Sequence, residues 1–238
     1  MKVLGIDTSS KAASVAIMED NKLISEYTIN NNKTHSQKLM PIIENMFKLN
    51  EMSANDIDLI SVCIGPGSFT GLRIGVATAK AIAHVRDIPV VVVNSLEALS
   101  FNVSMTNKTV CPMIDAQKKQ VYTCKYSWDK DSLLKVEDID VKKVEDLAEE
   151  LKSSLEEFVL IGEGVDLHKE VFGNINNVYI APNSHRASRA SSICEIGIEK
   201  FKKGDTKNHY EVVPYYIRKS QAEVQYDEKM KRLKEDGK

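Results

Sequence analysis

Two aspartates stand where carboxylates could take part in chemistry. Asp7 ends a predicted strand that begins at Lys2, and Asp115 ends another that begins at Val110. If the two halves of the chain are related, both carboxylates face one cleft, and such a pair could hold a magnesium-bound water beside a nucleotide. Aspartates also bond the amides of a following turn, so a turn-capping role for both stays open.

The turns that follow these aspartates contain no glycine. The first, at residues 8–11, reads TSSK, and the second, at residues 116–119, reads AQKK. A turn that binds phosphate presents its backbone amides to the oxygens, and glycine makes that approach easiest. The hydroxyls of the first turn and the lysines of the second still allow a weak nucleotide contact. We assign that contact to Asp7, Thr8, Ser9 and Asp115.

The histidines and cysteines form no metal motif. No two histidines have the spacing HxxxH or HExxH, and no two cysteines form CxxC. We therefore predict no metal site, and we place His35 at a helix N-terminus or an interface. The cysteines are expected to be buried, reduced thiols, as in a cytosolic protein; they are Cys63, Cys111, Cys124 and Cys194.

A glycine-rich stretch, GPGSFTGLRIG at residues 65–75, joins a predicted strand at 59–64 to a predicted helix at 72–85. Its glycines permit positive φ and close approach of another backbone, and Ser68 or Thr70 can cap the helix. The helix has almost no polar face. Its titratable residues share one narrow stripe; they are Arg73, Lys80 and His84.

Small residues spaced by four form a smooth side on this helix. We expect one side of the helix to cover the sheet and the smooth side to accept a helix from another molecule. Together with a helix predicted at 34–49, capped by Thr34 and Gln37, it forms a predicted docking face. The residues assigned to that face are His35, Leu39, Ile43, Gly71, Gly75, Thr78, Ala79 and Ile82.

The predicted elements follow the same order twice: three strands, a helix, a strand, a helix, a strand and a helix. In the first half they lie at 2–7, 14–18, 23–29, 34–49, 59–64, 72–85, 90–93 and from Ser95 onward. In the second half they lie at 110–115, 120–127, 133–138, 144–153, 158–162, 166–172, 178–181 and 187–203. This order predicts an α/β protein with two mixed sheets and helices packed on them.

The duplication sets the expected domains. We predict an N-terminal lobe at 1–106 with the docking helices, a C-terminal lobe at 107–220, and a charged tail at 221–238 that forms a short helix with a loose end. A chain of 238 residues with a net charge of −2 can bury a good core and has no overall attraction to nucleic acid. No stretch reads as a signal peptide or a membrane span, so we expect a cytoplasmic protein.

The glycine-rich stretch, taken with short motifs in a fixed order, resembles the TsaB (YeaZ) family of bacterial tRNA threonylcarbamoyladenosine synthesis. The other motifs are weak alone and strong in this order; they are IDTS at 6–9, His35 followed by LMP at 39–41, NSL at 94–96, IDA at 114–116 and PYYIR at 214–218. The resemblance implies two ribonuclease-H-like lobes of the actin, sugar-kinase and chaperone ATPase superfamily, facing across a cleft.

The resemblance also implies a role. The chain would be a non-catalytic partner that docks on and activates a TsaD-type transferase, with a TsaE-type ATPase in the same assembly. That assembly moves a threonylcarbamoyl group to N6 of adenosine in tRNA. The chain alone would bind no cofactor, with ATP and magnesium at the level of the complex, and would touch tRNA only through it. Without its partner, the docking face would pair two copies.

Two other functions compete with this hypothesis. One is a small-molecule phosphotransferase of the sugar-kinase type that uses Asp7 and Asp115 with ATP and magnesium. The glycine-free turns argue against it, and tight ATP binding by the isolated chain would favour it. The other is a peptidase, which no nucleophile–histidine pair or metal motif supports. The transferase's histidine pair, which holds a metal in that sister family, has no counterpart here beyond His35.

Overall fold

A computed structural model describes residues 1–104, 106–218 and Tyr226. The charged tail predicted at 221–238 lies outside the described residues, apart from Tyr226. Within the described part of the chain, no helix combines the length and the apolar character that crossing a membrane requires.

The first half of the chain forms a five-stranded mixed sheet. Its strands are β1 (Lys2–Asp7), β2 (Ala13–Glu19), β3 (Lys22–Ile29), β4 (Leu59–Gly65) and β5 (Val90–Asn94), in the order β3-β2-β1-β4-β5. The first three strands run antiparallel as a meander, and β4 and β5 run parallel to β1. The carboxyl ends of β1 and β4 therefore meet at one edge, where the turn after Asp7 lies beside the glycine-rich stretch.

Three helices and one 3₁₀ turn (Ala54–Asp56) complete the first half: α1 (His35–Leu49), α2 (Phe69–Arg86) and α3 (Ser95–Phe101). The predicted capping box of α1 is present, since Thr34 N–H donates to Gln37 at 3.2 Å. Ser68 caps α2, because its Oγ accepts from Gly71 N–H at 3.2 Å. Helices α1 and α2 pack on one face of the sheet and bury a core that includes Leu39, Ile43 and Ala79.

The second half repeats the sheet. Its strands are β6 (Thr109–Asp115), β7 (Gln120–Asp129), β8 (Ser132–Lys143), β9 (Phe158–Ile161) and β10 (Val178–Ile180), in the order β10-β9-β6-β7-β8. Each strand has the same neighbours as its counterpart in the first sheet. The first three strands again form an antiparallel meander, and the last two again run parallel to the first. The predicted fold class, two ribonuclease-H-like lobes with mixed sheets and packed helices, is confirmed.

The helices of the second half are α4 (Val144–Ser153), α5 (Glu163–Leu167), α6 (Lys169–Phe172) and α7 (Ala190–Lys202). The single helix predicted at 166–172 is in fact two short ones, α5 and α6. Helices α4 and α6 pack on the second sheet, and α3 lies across its other face.

Helix α7 crosses over to the first sheet. Its Ile193 and Cys194 share a buried core with Val3 and Ala16. The approach is close: a Cβ on Gly5 would lie 2.5 Å from both the Ala190 oxygen and the Cys194 Sγ. The predicted boundary at 106/107 falls between the strands of the two sheets, and the domain bounds stay a prediction. Helix α7, from the second half of the chain, packs on the first sheet.

Residues 205–218, which we call the strap, return along α2. Val90 and Lys207 exchange both backbone hydrogen bonds, and Tyr215 N–H donates to the Ile64 oxygen at 2.8 Å. At its end, Arg218 Nη1 donates to the Ala116 oxygen at 3.0 Å. The strap therefore ties α2 of the first half to the turn after β6.

Candidate functional site

The turn after β1, at residues 8–11 and called the first turn from here on, is closed to solvent at its start. Asp7 is 1% exposed, and Thr8 and Ser9 are 1% and 0% exposed. One carboxylate oxygen of Asp7, Oδ1, accepts from the Ser9 amide at 2.8 Å and from the Ser9 hydroxyl at 2.7 Å. Burial raises the pKa of Asp7, and the bonds from Ser9 oppose that shift. This is the geometry of a turn-capping aspartate.

The glycine-rich stretch packs directly against the first turn. A Cβ on Gly67 would lie 2.2 Å from the Ser9 oxygen, and one on Gly71 would lie 2.1 Å from the Thr8 oxygen. One turn further along α2, a Cβ on Gly75 would lie 2.3 Å from Thr8 Oγ1. Real Cβ atoms do not approach oxygens so closely, so these glycines are what permits α2 to lie on this turn.

Helix α1 closes the first turn from the other side. His35 Nε2 lies 2.9 Å from the Ser10 oxygen, and Lys38 Nζ donates to the Lys11 oxygen at 3.1 Å. Burial lowers the pKa of His35, and the positive charge of Lys38 adds to the effect. Burial also lowers the pKa of Lys38. The predicted place of His35 at a helix N-terminus is correct, and its ring faces the chain's own turn.

The turn after β6, at residues 116–119 and called the second turn from here on, has the same place in its sheet but is open. Asp115 is half-buried, and its Oδ1 accepts from the Gln117 amide at 2.8 Å. Three consecutive residues have left-handed backbones, with φ of 61° at Gln117, 51° at Lys118 and 55° at Lys119. Both lysine side chains are exposed. Both aspartates thus bond their own turns, and only the first turn is covered by helices.

The small residues of α2 do not form the exterior surface that the sequence analysis assigned to them. Gly71, Gly75 and Ala79 are buried against the first turn and the sheet, and Leu39 and Ile43 of α1 are 1% and 2% exposed. These five residues are covered by the chain itself, so they cannot lie on a free docking face. The physical reason is that a row of small residues indicates that another part of the structure lies close to the helix, but it does not identify that neighbour.

The exposed side of α2 carries a different set of residues, spaced as one helical face. We call it the outer strip; it consists of the exposed Thr70, Ala77, Ala81 and Val85 together with Ile74, which is half-buried. None of the five is charged, and Val85 is 81% exposed. The assigned Thr78 and Ile82 are half-buried beside it, on the side of α1. That α2 forms the interface stays a prediction. The residues of α2 that a partner could contact are those of the outer strip.

The strap covers the polar stripe of α2, a contact that the sequence analysis missed. Each member of the stripe forms a hydrogen bond with the strap; the pairs include Arg73 Nε with Tyr216 Oη, Lys80 Nζ with the Val212 oxygen, and His84 Nδ1 with His209 Nε2, at 3.1, 3.0 and 3.0 Å. Phe69 stacks on Tyr216 with ring centroids 4.4 Å apart. The sequence contained a signal for this contact, because a polar stripe on an otherwise apolar helix needs a polar partner.

One pair of histidines far apart in sequence is in contact: His84 and His209 share a hydrogen bond. Among the described residues, no group of three or more histidine, cysteine, aspartate or glutamate side chains could hold a metal ion. All four cysteines are free and buried, as predicted.

Comparisons with known proteins decide the family. The family model described as "TsaD: tRNA N6-adenosine threonylcarbamoyltransferase" matches residues 22–226. A relative from Bacillus subtilis (strain 168), the "tRNA threonylcarbamoyladenosine biosynthesis protein TsaB", is 31% identical over 233 residues, which is 97% of this chain and 100% of that protein. The chain belongs to the TsaB branch of this family. The protein of the same name from Escherichia coli (strain K12) is 26% identical over 93% of this chain and 96% of its own length.

Solved structures agree with the TsaB fold. "YeaZ from Pseudomonas aeruginosa" superposes with a TM-score of 0.77 at 20% identity, over 91% of this chain and 99% of that one. A second structure, described as a protein "with similarity to peptidase YEAZ from Pseudomonas aeruginosa", gives a TM-score of 0.78 at 20% identity and the same coverage. At this identity the likeness establishes the shared fold. Three of the six motifs of this TsaB-family chain fall at the first turn, the glycine-rich stretch and the strap, and the others fall on α1, at the start of α3 and at the second turn.

Proposed function

We propose that this chain is a non-catalytic subunit of an assembly that transfers a threonylcarbamoyl group to N6 of adenosine in tRNA. Its TsaB relatives are named for threonylcarbamoyladenosine biosynthesis, and the matching family model is described as the transferase. The partner that it docks on and activates is a TsaD-type transferase, and a TsaE-type ATPase belongs to the same assembly. The tRNA is contacted only through the complex.

One observation carries the docking role, and it is the outer strip of α2. The strip runs along a helix of 18 residues and lies between the strap and the side of α1. All its side chains are uncharged, and those of Thr70, Ala77 and Ala81 are small, so it presents little to desolvate and a partner helix can approach closely. Met40 and Pro41 of α1 are exposed as well. Without a partner, the same surface pairs two copies of the chain.

The closed first turn supports the absence of catalysis. A carboxylate that activates a metal-bound water must reach its substrate, whereas Asp7 is 1% exposed and Ser9 occupies its Oδ1. The Ser9 amide, which a phosphate would need, donates to the same oxygen. The weak nucleotide contact assigned to Asp7, Thr8, Ser9 and Asp115 would require the first turn to open. We therefore place ATP and magnesium in the complex, with no cofactor on the isolated chain.

The competing function is a sugar-kinase-type phosphotransferase. The TsaB relatives and the closed first turn both favour the partner role over it. Tight ATP binding by the isolated chain, measured by calorimetry, would favour the kinase. We propose the cytoplasm as the place of action, because the substrate of the assembly is tRNA.

The test is a binding measurement between this chain and the TsaD-type transferase of the same organism. A glutamate at Ala77 or Ala81 places an uncompensated charge in the proposed interface, so Ala77→Glu and Ala81→Glu should each weaken binding about a hundredfold or more. The matched control is Ser153→Glu on α4, an exposed helical site in the second half, which should bind as the wild type does. Wild-type affinity in both α2 variants would refute docking through the outer strip.

A further inference from the structure

Two histidines from distant parts of the chain meet at the end of α2. His84 lies in the last turn of that helix, and His209 lies on the strap. His84 Nδ1 and His209 Nε2 are 3.0 Å apart. His84 is exposed, so the contact is open to solvent on that side, while His209 is 8% exposed. We call the two residues the histidine pair. Neither belongs to the outer strip, and the proposed function makes no use of them.

The two rings of the histidine pair do not lie end to end. A straight N–H···N bond of this length would place the ring centroids about 5.3 Å apart. The observed centroids are 4.7 Å apart and the ring planes are inclined by 53°, so the bond is bent. A bent pair of nitrogens can direct both lone pairs at one point beside the line that joins them, as two ligands of one ion must. Tyr210 packs on the His209 ring with centroids 3.9 Å apart and so holds its orientation.

The spacing of the two nitrogens selects a coordination angle. With metal–nitrogen bonds of about 2.0–2.1 Å, two ligands at a right angle have their nitrogens about 2.9 Å apart. Two ligands at a tetrahedral angle have their nitrogens about 3.3–3.4 Å apart. The observed 3.0 Å is close to the right-angle value. The histidine pair therefore fits two neighbouring positions of a square-planar or tetragonal ion better than two positions of a tetrahedral zinc ion.

The surroundings of the histidine pair limit how tightly a cation is held. Among the described residues, no third histidine, cysteine or carboxylate joins the two as a ligand, so an ion keeps water at its other positions. Lys80, one turn before His84 on α2, donates to backbone oxygens of the strap, and its positive charge opposes a second cation. Glu211 carries the opposite charge in the same strap turn as His209, where its Oε2 accepts a backbone amide at 3.0 Å.

We propose that the histidine pair binds one divalent transition-metal ion of the copper or nickel class. His84 Nδ1 and His209 Nε2 are its two protein ligands, and water fills its remaining positions. Both rings bind in the neutral form, so the ion takes the place of the proton that one nitrogen donates to the other. Because one ligand belongs to α2 and the other to the strap, the bound ion joins these two elements.

The test uses the full chain without a histidine tag. Cu²⁺, which is paramagnetic and broadens nearby NMR resonances, is added below one equivalent while the histidine ring resonances are followed. Those of His84 and His209 should broaden first, and those of His185 should stay sharp. Calorimetry with Ni²⁺ should show one saturable site with a Kd of about 0.1 mM or tighter, and Zn²⁺ should bind more weakly than Ni²⁺. Equal broadening of all three histidines, or tighter binding of Zn²⁺ than of Ni²⁺, would overturn the proposal.

Variants assign the two ligands. His84→Gln removes one ligand from an exposed position and should weaken Ni²⁺ binding by about tenfold or more. The matched control is His185→Gln, which removes an exposed histidine whose Nδ1 bonds the Ser184 hydroxyl, and it should bind as the wild type does. His209→Gln should show the same loss as His84→Gln; if it fails to fold, the exposed His84→Gln still decides. Wild-type Ni²⁺ affinity in His84→Gln would overturn the proposal. Ala77→Glu should bind Ni²⁺ normally, which separates this test from that of the docking role.

Discussion

The first and second turns occupy the same place in two sheets of the same strand order, yet their surroundings are opposite. Thr8 and Ser9 are buried under α1 and α2, whereas Lys118 and Lys119 stand in solvent. The first turn is held by His35, by Lys38 and by three glycines that admit α2. The second is held by its own aspartate, by Arg218 of the strap and by backbone hydrogen bonds, including one from Val144 N–H to the Lys119 oxygen.

This difference explains what the glycine-rich stretch is for. Its glycines bring α2 down onto the first turn and so close Thr8 and Ser9 to solvent. The same packing fixes α2 so that its outer strip faces solvent as a rigid surface. The closed first turn and the exposed outer strip of α2 are therefore two results of one contact.

The largest effect is expected where the contact is tightest. Gly71→Ala would place a methyl group 2.1 Å from the Thr8 oxygen, and a backbone oxygen in a buried turn cannot move aside. We expect the free energy of unfolding to fall by about 3 kcal/mol. The control Ala81→Ser, on the exposed side of the same helix, should change it by less than about 0.5 kcal/mol. Urea denaturation measures both, and equal stability of the two variants would mean that α2 does not lie on the first turn.

A matched pair of substitutions tests the two turns directly. Ser9→Gly removes a buried hydroxyl that donates to Asp7 at 2.7 Å, and should cost about 2 kcal/mol. Lys118→Gly replaces an exposed residue whose φ is 51°, so relief of left-handed strain offsets the added chain entropy and the change should stay below about 1 kcal/mol. Thermal and urea unfolding of the two variants should rank them in that order. If Lys118→Gly lowered the free energy of unfolding more than Ser9→Gly, the first turn would not be the more tightly held of the two.

The smallest effect is a dependence of stability on pH through His35. Burial lowers the pKa of His35 in the folded chain, so on acidification the unfolded chain binds a proton first. Stability from this group is complete above the ordinary histidine pKa and is lost as the pH falls toward the lowered one. The unfolding free energy of the wild type should therefore drop more than that of His35→Gln between about pH 7.5 and about pH 5.5. The raised pKa of Asp7 acts in the opposite direction in both proteins, so the comparison with His35→Gln isolates the histidine together with its interaction with Asp7. Parallel pH profiles would show that His35 is not held neutral by the first turn.

Much of the fold could be predicted from local patterns. Alternating and apolar runs located all ten strands of the described residues, and Thr34 with Gln37 marked the start of α1 because capping is a local interaction. The repeated order of elements gave the duplication. Helix α7 was different, because chain order does not say which sheet a helix covers. The residue that indicates this contact is Gly5. Because it has no side chain, Ala190 and Cys194 of α7 can approach β1 closely.

The site was harder to predict than the fold. The sequence showed that α2 has small residues at spacings of four, but Gly71 and Gly75 signal a close neighbour without identifying it as Thr8. The exposed strip consists of ordinary residues such as Ala77 and Ala81, which carry no motif. The pairing of His84 with His209 joins residues 125 positions apart, and no spacing rule reaches that far.

The central claim is that this chain acts through the outer strip of α2 and not through the carboxylate in its closed turn. The most direct test is nucleoside analysis of tRNA from cells in which the native gene is replaced by Asp7→Asn or Ala77→Glu. Asparagine keeps the oxygen that accepts both Ser9 bonds, so the first variant should fold and retain threonylcarbamoyladenosine. Ala77→Glu should lose the modified nucleoside as completely as a gene deletion while the protein stays folded. Normal modification in Ala77→Glu, with loss in a stably folded Asp7→Asn, would place chemistry in the closed turn and contradict the account.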